Sequence, residues 1–199
     1  MANNKEGVDW SFIGEMEGGA KRTGYIPTEG GKAIGKSGLT LATGWDVGQM
    51  SMEELESSGL PQSIVEKVSP FIGAKGEEAL GVFEKLGAPS ISKQEASLID
   101  KYTHGKALSQ ISKKYGEATG KSFEDLTSAQ QTVMASVGFQ YGSNLKDATP
   151  GFWKQATTGD WTGALKNLQN FGDRYDYRRG REAEILGADI AMRGMNKYE

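Results

Sequence analysis

Apolar and polar positions follow three successive regimes along the chain. In residues 8–17, Trp10, Ile13 and Glu17 fall at i, i+3 and i+7, which predicts a short helix presenting them on one face. Gly18 and Gly19 then stop it. Between 20 and 50 the helical period is lost. That stretch is rich in Gly and Thr, contains Pro27, and alternates over short runs such as Leu39-Thr40-Leu41, which predicts a small β-hairpin region with long turns. From 51 onward the helical period returns, with segments over 75–86, 92–115, 128–141, 150–157, 160–170 and 175–193. Ser51 with Glu54, Ser92 with Glu95, and Thr127 with Gln130 have the spacing of capping boxes, and Pro61 suits a first helical position. No internal repeat or low-complexity linker interrupts the pattern. The expectation is a single α+β domain over 1–199, mostly helical. A small N-terminal lobe of about 1–50 holds a helix and a β-hairpin region, and a larger helical lobe follows over about 51–199.

Composition narrows the function classes. The 199 residues are enough to bury about 70% of the unfolded surface. Apolar residues make up 37% and charged residues 25%, and the net charge is −3, which fits a soluble globular protein and argues against nucleic-acid binding. No apolar run approaches the roughly 18 residues of a membrane span. The opening MANNKEGVDW lacks the apolar stretch of a secretory signal, so synthesis in the cytoplasm without a leader is expected. Cysteine is absent, which removes disulfides, thiolate metal sites and a cysteine nucleophile. One histidine, His104, leaves little for zinc, and neither metal nor cofactor is expected. The 28 glycines are about twice the usual ~7%, and they crowd into residues 14–48, where irregular backbone is expected.

Residues 30–37, Gly-Gly-Lys-Ala-Ile-Gly-Lys-Ser, match the phosphate-binding pattern G-x-x-x-x-G-K-[ST]. That pattern works only between a buried strand and a helix N-terminus. Here Tyr25-Ile26-Pro27 precedes it and the strand-like Gly38-Leu39-Thr40-Leu41 follows, so no nucleotide is expected.

A second constellation carries more chemistry. Two carboxylates flanking a glycosidic bond suffice to hydrolyse it, one giving a proton to the leaving oxygen, the other activating water or attacking directly. Glu17 shares the predicted face of Trp10 and Ile13, whereas Glu15 points about 140° away from Trp10 at ~100° per residue. An acid on an apolar face loses solvation, which favours its protonated form. Gly18 and Gly19 leave room for substrate beside it. Downstream, Thr40 and Asp46 are an even number of residues apart, so on one unbroken strand both would face the same side, although a bulge at Gly44 would upset that parity.

The segments Glu17-Gly18-Gly19, Tyr25-Ile26-Pro27, Ser37-Gly38-Leu39-Thr40 and Thr43-Gly44-Trp45-Asp46-Val47-Gly48-Gln49 together resemble the active-site region of the pesticin-like branch of phage-type lysozymes. Leu126 to Gln131 with Ser136 to Gly142 is similar to the buried core helix of that fold. Phe152-Trp153, Asp160 to Leu165 and Tyr177 to Glu182 are similar to its C-terminal helices. The resemblance implies a lysozyme-like fold with a cleft between two lobes, and catalytic residues Glu17, Thr40 and Asp46. It implies muramidase activity on the bond between N-acetylmuramic acid and N-acetylglucosamine of peptidoglycan, acting in the periplasm or wall of a bacterium. A bacteriocin, an injected effector and a phage endolysin are all compatible roles, and a toxin would come with a cognate immunity protein. A monomer is expected. Tyr25, Gly18 and Trp45 form the expected substrate-binding set, although Trp45, like Trp153 and Trp161, also reads as a packing residue. The rival readings are a lytic transglycosylase and an inactive glycan-binding module on the same fold. In ordinary phage-type lysozymes the second acid follows the glutamate closely. Here Ile26 and Pro27 occupy that stretch, which leaves Glu29 as the alternative to Asp46.

Each residue also has a plainer reading. Asp46 between Gly44 and Gly48 suits a turn former. His104 before Gly105 reads as a surface residue. The run Arg174 to Arg181 reads as a solvated helix face on which Arg178 and Glu182 form an i,i+4 pair.

Overall fold

The computed structural model describes residues 7–17 and 19–195. In chain order the elements are α1 (Trp10–Met16), β1 (Lys21–Tyr25), β2 (Thr28–Glu29), β3 (Lys32–Ala33), β4 (Thr40–Ala42) and β5 (Trp45–Asp46). The helices α2 (Met52–Glu56), α3 (Gln62–Val68), α4 (Glu77–Leu86), α5 (Lys93–Thr119) and α6 (Ser128–Tyr141) follow. The chain closes with α7 (Leu145–Ala148), α8 (Pro150–Thr158), α9 (Trp161–Gln169) and α10 (Asp176–Met195). Two compact units result: residues 17–104 form one, and residues up to 16 together with 105 onward form the other. The α+β class, mostly helical with a small antiparallel sheet, is the one the hydrophobic pattern predicts. Among the described residues no helix is long and apolar enough to cross a membrane.

The unit of residues 17–104 holds every strand among the described residues. β1, β4 and β5 form an antiparallel sheet in that order, and β2 and β3 pair separately as a two-stranded ribbon. Leu41 opposes Trp45 across the β4–β5 hairpin, and both side chains are buried. They join Leu39, Val47, Leu55, Ile64, Val68 and Ile99 in one apolar cluster. That cluster explains why the unit extends to His104, well past residue 50, where the β-region gives way to the helical period. A sheet of such short strands cannot bury its apolar face alone, and α2, α3, α4 and the start of α5 cover it. The capping boxes at Ser51/Glu54 and Ser92/Glu95 both form, each with reciprocal bonds. Pro61 stands one residue outside α3, at its N-cap.

The second unit is built on α6. Every residue from Gln130 to Gly138 is buried, which makes α6 a helix enclosed on all sides. Its N-terminus carries the expected Thr127/Gln130 capping box. Trp153 and Trp161 are buried in the cluster around it, as packing residues. The face predicted for α1 is corrected. Val8, Phe12 and Ile13 are the buried residues, packed with Ala135, while Trp10 is 45% exposed and stacks on Phe139 with ring centroids 6.0 Å apart. Asp9 starts the helix, its Oδ1 accepting the N–H groups of Ser11 and Phe12. Its own N–H donates to Thr132 Oγ1 of α6 at 2.8 Å.

The arginine run is corrected too. Arg178 and Glu182 do pair, at 3.4 Å, but not on a solvated face. Glu182 is fully buried and the Arg179 side chain is 3% exposed. Arg179 donates to Glu182, to Asp173 and to Gln140, and its guanidinium lies 4.4 Å from the Phe171 ring centroid. Arg178 donates to the Ser136 carbonyl and hydroxyl oxygens. A period-3.6 pattern scores arginine as solvent-facing, and it misses a cation whose burial is matched by buried acceptors.

Candidate active site

All the residues singled out for catalysis belong to the unit of residues 17–104. The sheet register decides how three of the predicted residues meet. Tyr25 of β1 opposes Thr40 of β4, and Thr40 opposes Asp46 of β5. Directly opposed residues of antiparallel strands share a face. Tyr25, Thr40 and Asp46 therefore form one row across the sheet, on the face opposite the Leu41–Trp45 pair. The parity argument from a single strand reaches the same side for a different reason. The chain turns at Thr43-Gly44, with Gly44 at φ +86° and Ala42 at φ +48°, so the even spacing reflects hairpin pairing and not one continuous strand.

Asp46 is fixed on three sides. Its Oδ1 accepts the N–H of Gly38 at 3.1 Å and of Gly48 at 3.0 Å, and its Oδ2 accepts from Gln49 Nε2 at 3.2 Å. It thereby caps the 3₁₀ turn Val47–Gln49, so the turn-forming reading of this residue is part of its geometry. The two glycines make the arrangement possible. A Cβ on Gly48 would lie 2.3 Å from the Ala74 carbonyl oxygen and 2.8 Å from Gly38 Cα, both backbone atoms. The glycine excess between 14 and 48 thus has a steric cause here, close backbone approach beneath a carboxylate. Thr40 is buried, and its hydroxyl donates to the Gly38 carbonyl at 3.3 Å. Tyr25 is 39% exposed at the open end of the row. Trp45 is 6% exposed within the core, its indole N–H donating to Met50 Sδ at 3.1 Å, so it supports the row from beneath and presents little surface to a ligand. Gly18 lies outside the described residues.

Glu17 sits in the turn after α1, one residue beyond the helix, so the i+7 face assigned to it does not apply. Its side chain is nonetheless only 12% exposed. The partner is one the sequence reading missed. His104 Nε2 lies 3.7 Å from Glu17 Oε2, and the His104 side chain is 15% exposed, not a surface group. One turn earlier on α5, Asp100 Oδ1 accepts the N–H of Thr43, in the β4–β5 turn, at 2.9 Å. Sequence offers one faint signal for this, an Asp and a His spaced i,i+4 on an otherwise polar helix. Nearby, an open cavity of about 510 Å³ is lined by Ala20, Arg22, Lys93, Ala96, Ser97 and Asp100.

The alternative acid, Glu29, is exposed on β2 and pairs across the ribbon with Lys32. Gly30 and Gly31 make the tip of that ribbon with positive φ of 59° and 79°. The phosphate-loop pattern therefore runs through a hairpin tip, and β4, not a helix, follows it. Among the described residues, no three His, Cys, Asp or Glu side chains are grouped to hold a metal ion.

A short helix with a largely buried acid in the turn after it, an antiparallel hairpin carrying Thr and Asp on one row, and a helical remainder built on an enclosed helix define a lysozyme-like α+β protein. The chain belongs to the Pesticin family, described as a bacterial toxin homologue of phage lysozyme, C-terminal part, which matches residues 7–162. A search of curated proteins found no match. At the level of the family, the protein is a lysozyme-like peptidoglycan hydrolase.

Proposed function

We propose that the protein is a muramidase, hydrolysing the glycosidic bond between N-acetylmuramic acid and N-acetylglucosamine, and that it serves as a wall-degrading toxin. The observation that carries this reading is the row Tyr25–Thr40–Asp46, with the Asp46 carboxylate clamped by the Gly38 and Gly48 N–H groups. Glu17 is the general acid. Its O–H breaks, the proton goes to the leaving-group oxygen, and the bond from that oxygen to the anomeric carbon opens. Asp46 takes a proton from a water that Thr40 Oγ1 helps to hold, and that water attacks the anomeric carbon from the opposite face. This assignment inverts the anomeric configuration. Tyr25 offers an exposed ring at the end of the row on which a sugar can stack. Arg22 and Lys93 give the neighbouring cavity a positive lining suited to an anionic wall polymer. Asp46 is preferred over Glu29 because it shares the row with Thr40, whereas Glu29 lies on the separate ribbon. As a toxin the protein would be matched in its producer by an immunity protein.

The test is digestion of purified bacterial sacculi. Wild-type protein should lower turbidity and release fragments with reducing ends. Glu17→Gln keeps the volume but has no proton to give, and should lose at least ~100-fold in rate at unchanged melting temperature. Anhydro-sugar ends would instead identify a transglycosylase, and wild-type protein that releases nothing but still pulls down with sacculi would identify a glycan-binding module.

A further inference from the structure

The chain has one histidine, and it meets the acid assigned above. Glu17 and His104 are the first and last residues of the strand-bearing unit, so the contact lies where the chain enters and leaves that unit. Asp100 and His104 stand one turn apart on α5, on the same side of the helix. Asp100 ties down the β4–β5 turn through Thr43, and His104 reaches Glu17. A single turn of α5 therefore contacts both the hairpin that carries Thr40 and Asp46 and the carboxyl of Glu17.

We propose that His104 is a positioning residue for Glu17. Its Nε2 faces Glu17 Oε2, and a ring N–H donated from there to that oxygen orients the carboxyl for proton delivery. The proposal rests on Glu17 being the general acid. As that proton passes to the leaving-group oxygen, Glu17 becomes a carboxylate. An N–H donor is worth more to the anion than to the neutral acid, so the contact favours the transition state over the bound substrate. At 3.7 Å the pair is beyond hydrogen-bond length in the free protein. Contacts of this kind tighten as substrate binds and charge develops. Side-chain exposures of 15% and 12% keep bulk water from replacing the imidazole as donor.

Three variants of the full chain test this on solubilised glycan strands. His104→Phe keeps a ring without a donor, His104→Gln keeps an N–H near the position of Nε2, and Glu17→Gln tests the underlying assignment. His104→Phe should lower kcat at least about tenfold, the lower end for a hydrogen bond to a developing charge, with KM nearly unchanged. His104→Gln should recover most of that loss. If His104→Phe retains wild-type kcat, or if His104→Gln is as impaired as His104→Phe, the proposal is overturned. An independent readout uses the sole imidazole, whose ring NMR signals need no assignment. Glu17→Gln should shift them clearly at unchanged melting temperature, and signals indifferent to Glu17 would overturn the contact. An active Glu17→Gln variant with shifted imidazole signals would instead refute the general-acid reading while leaving the contact in place.

Discussion

Thr40 faces Asp46 across the β4–β5 hairpin, with the Asp46 carboxylate held by two glycine N–H groups and the Thr40 hydroxyl bonded to one of the same glycines. Gly38 is the common element: its N–H donates to Asp46 and its carbonyl accepts from Thr40. The backbone of Gly38 thus links the two side chains, and the Gly48 N–H and Gln49 Nε2 complete the hold on Asp46. A carboxylate fixed in this way keeps its free lone pairs in one direction, which is what a water-activating base requires.

Asp46→Asn is the informative substitution. The amide oxygen can still accept from Gly38 and Gly48, so the turn should survive, with a melting temperature only a few degrees lower. The charge that activates water is gone, and wall hydrolysis should fall at least ~100-fold. Glu29→Gln, on the exposed ribbon, should leave both rate and melting temperature near wild type. Turbidity assays and thermal melts on the two variants measure this. A silent Asp46→Asn together with an inactive Glu29→Gln would exchange their assignments.

The phosphate-loop pattern makes a contrasting case. Lys36 contributes its carbonyl oxygen to Gln49 Nε2 at 2.8 Å, a bond that does not depend on its side chain. Lys36→Ala should therefore keep at least half of the wild-type hydrolytic rate, and ATP should leave the melting curve in place. A ligand at 100 times its Kd adds about 2.7 kcal/mol, which a thermal scan resolves easily. A clear upward shift with ATP would overturn this expectation.

Much of the fold is legible in the sequence because its signals are local. Ser51, Ser92 and Thr127 each announce a helix by capping chemistry that needs only three residues of context, and all three boxes form. The last helix, 176–195, follows from its apolar period in the same way, whereas 128–141 is buried all round and is marked in the sequence by its cap instead. What the sequence hides are relationships at long range. Glu17 and His104 are brought together by folding alone, and no window of sequence contains both. Arg179 reads as a surface cation until Asp173, Gln140 and Glu182 converge on it. The row of the site lies between these extremes. The even spacing of Thr40 and Asp46 is visible, but only the hairpin turn at Thr43-Gly44 shows that the spacing means opposition across two strands.

Acid should weaken the strand-bearing unit through Glu95. The Ser92 N–H in its capping box, then Lys67 at 2.9 Å, then the Ser63 hydroxyl, hold the Glu95 carboxyl down to about 2. A carboxyl depressed on folding contributes its full stability above its unfolded value near 4.5, and loses it as pH falls toward about 2. Glu95→Gln should thus be less stable than wild type at pH 7, and the gap should close between about pH 4.5 and 2. Chemical denaturation across that range measures it. A gap that stays constant with pH would mean that Glu95 acts through packing alone.

Arg179 in the second unit offers a sharper test of buried charge. Burial pushes the Glu182 carboxyl up, while Arg179 and Arg178 pull the other way by stabilising its anion. Arg179→Ala removes the donor to Glu182, Asp173 and Gln140 together, and withdraws the guanidinium from the Phe171 ring. Arg178 and Ser136 alone remain to satisfy a fully buried carboxylate. Breaking such a pair from one side costs about 3–5 kcal/mol, because an undercompensated charge stays in the interior. Replacing both partners removes the charge as well as the bond. The double variant Arg179→Met with Glu182→Leu should therefore unfold at a higher denaturant concentration than Arg179→Ala alone. If the double variant is the less stable of the two, the network supplies net stability beyond the cancellation of its own charges, and packing cannot stand in for it.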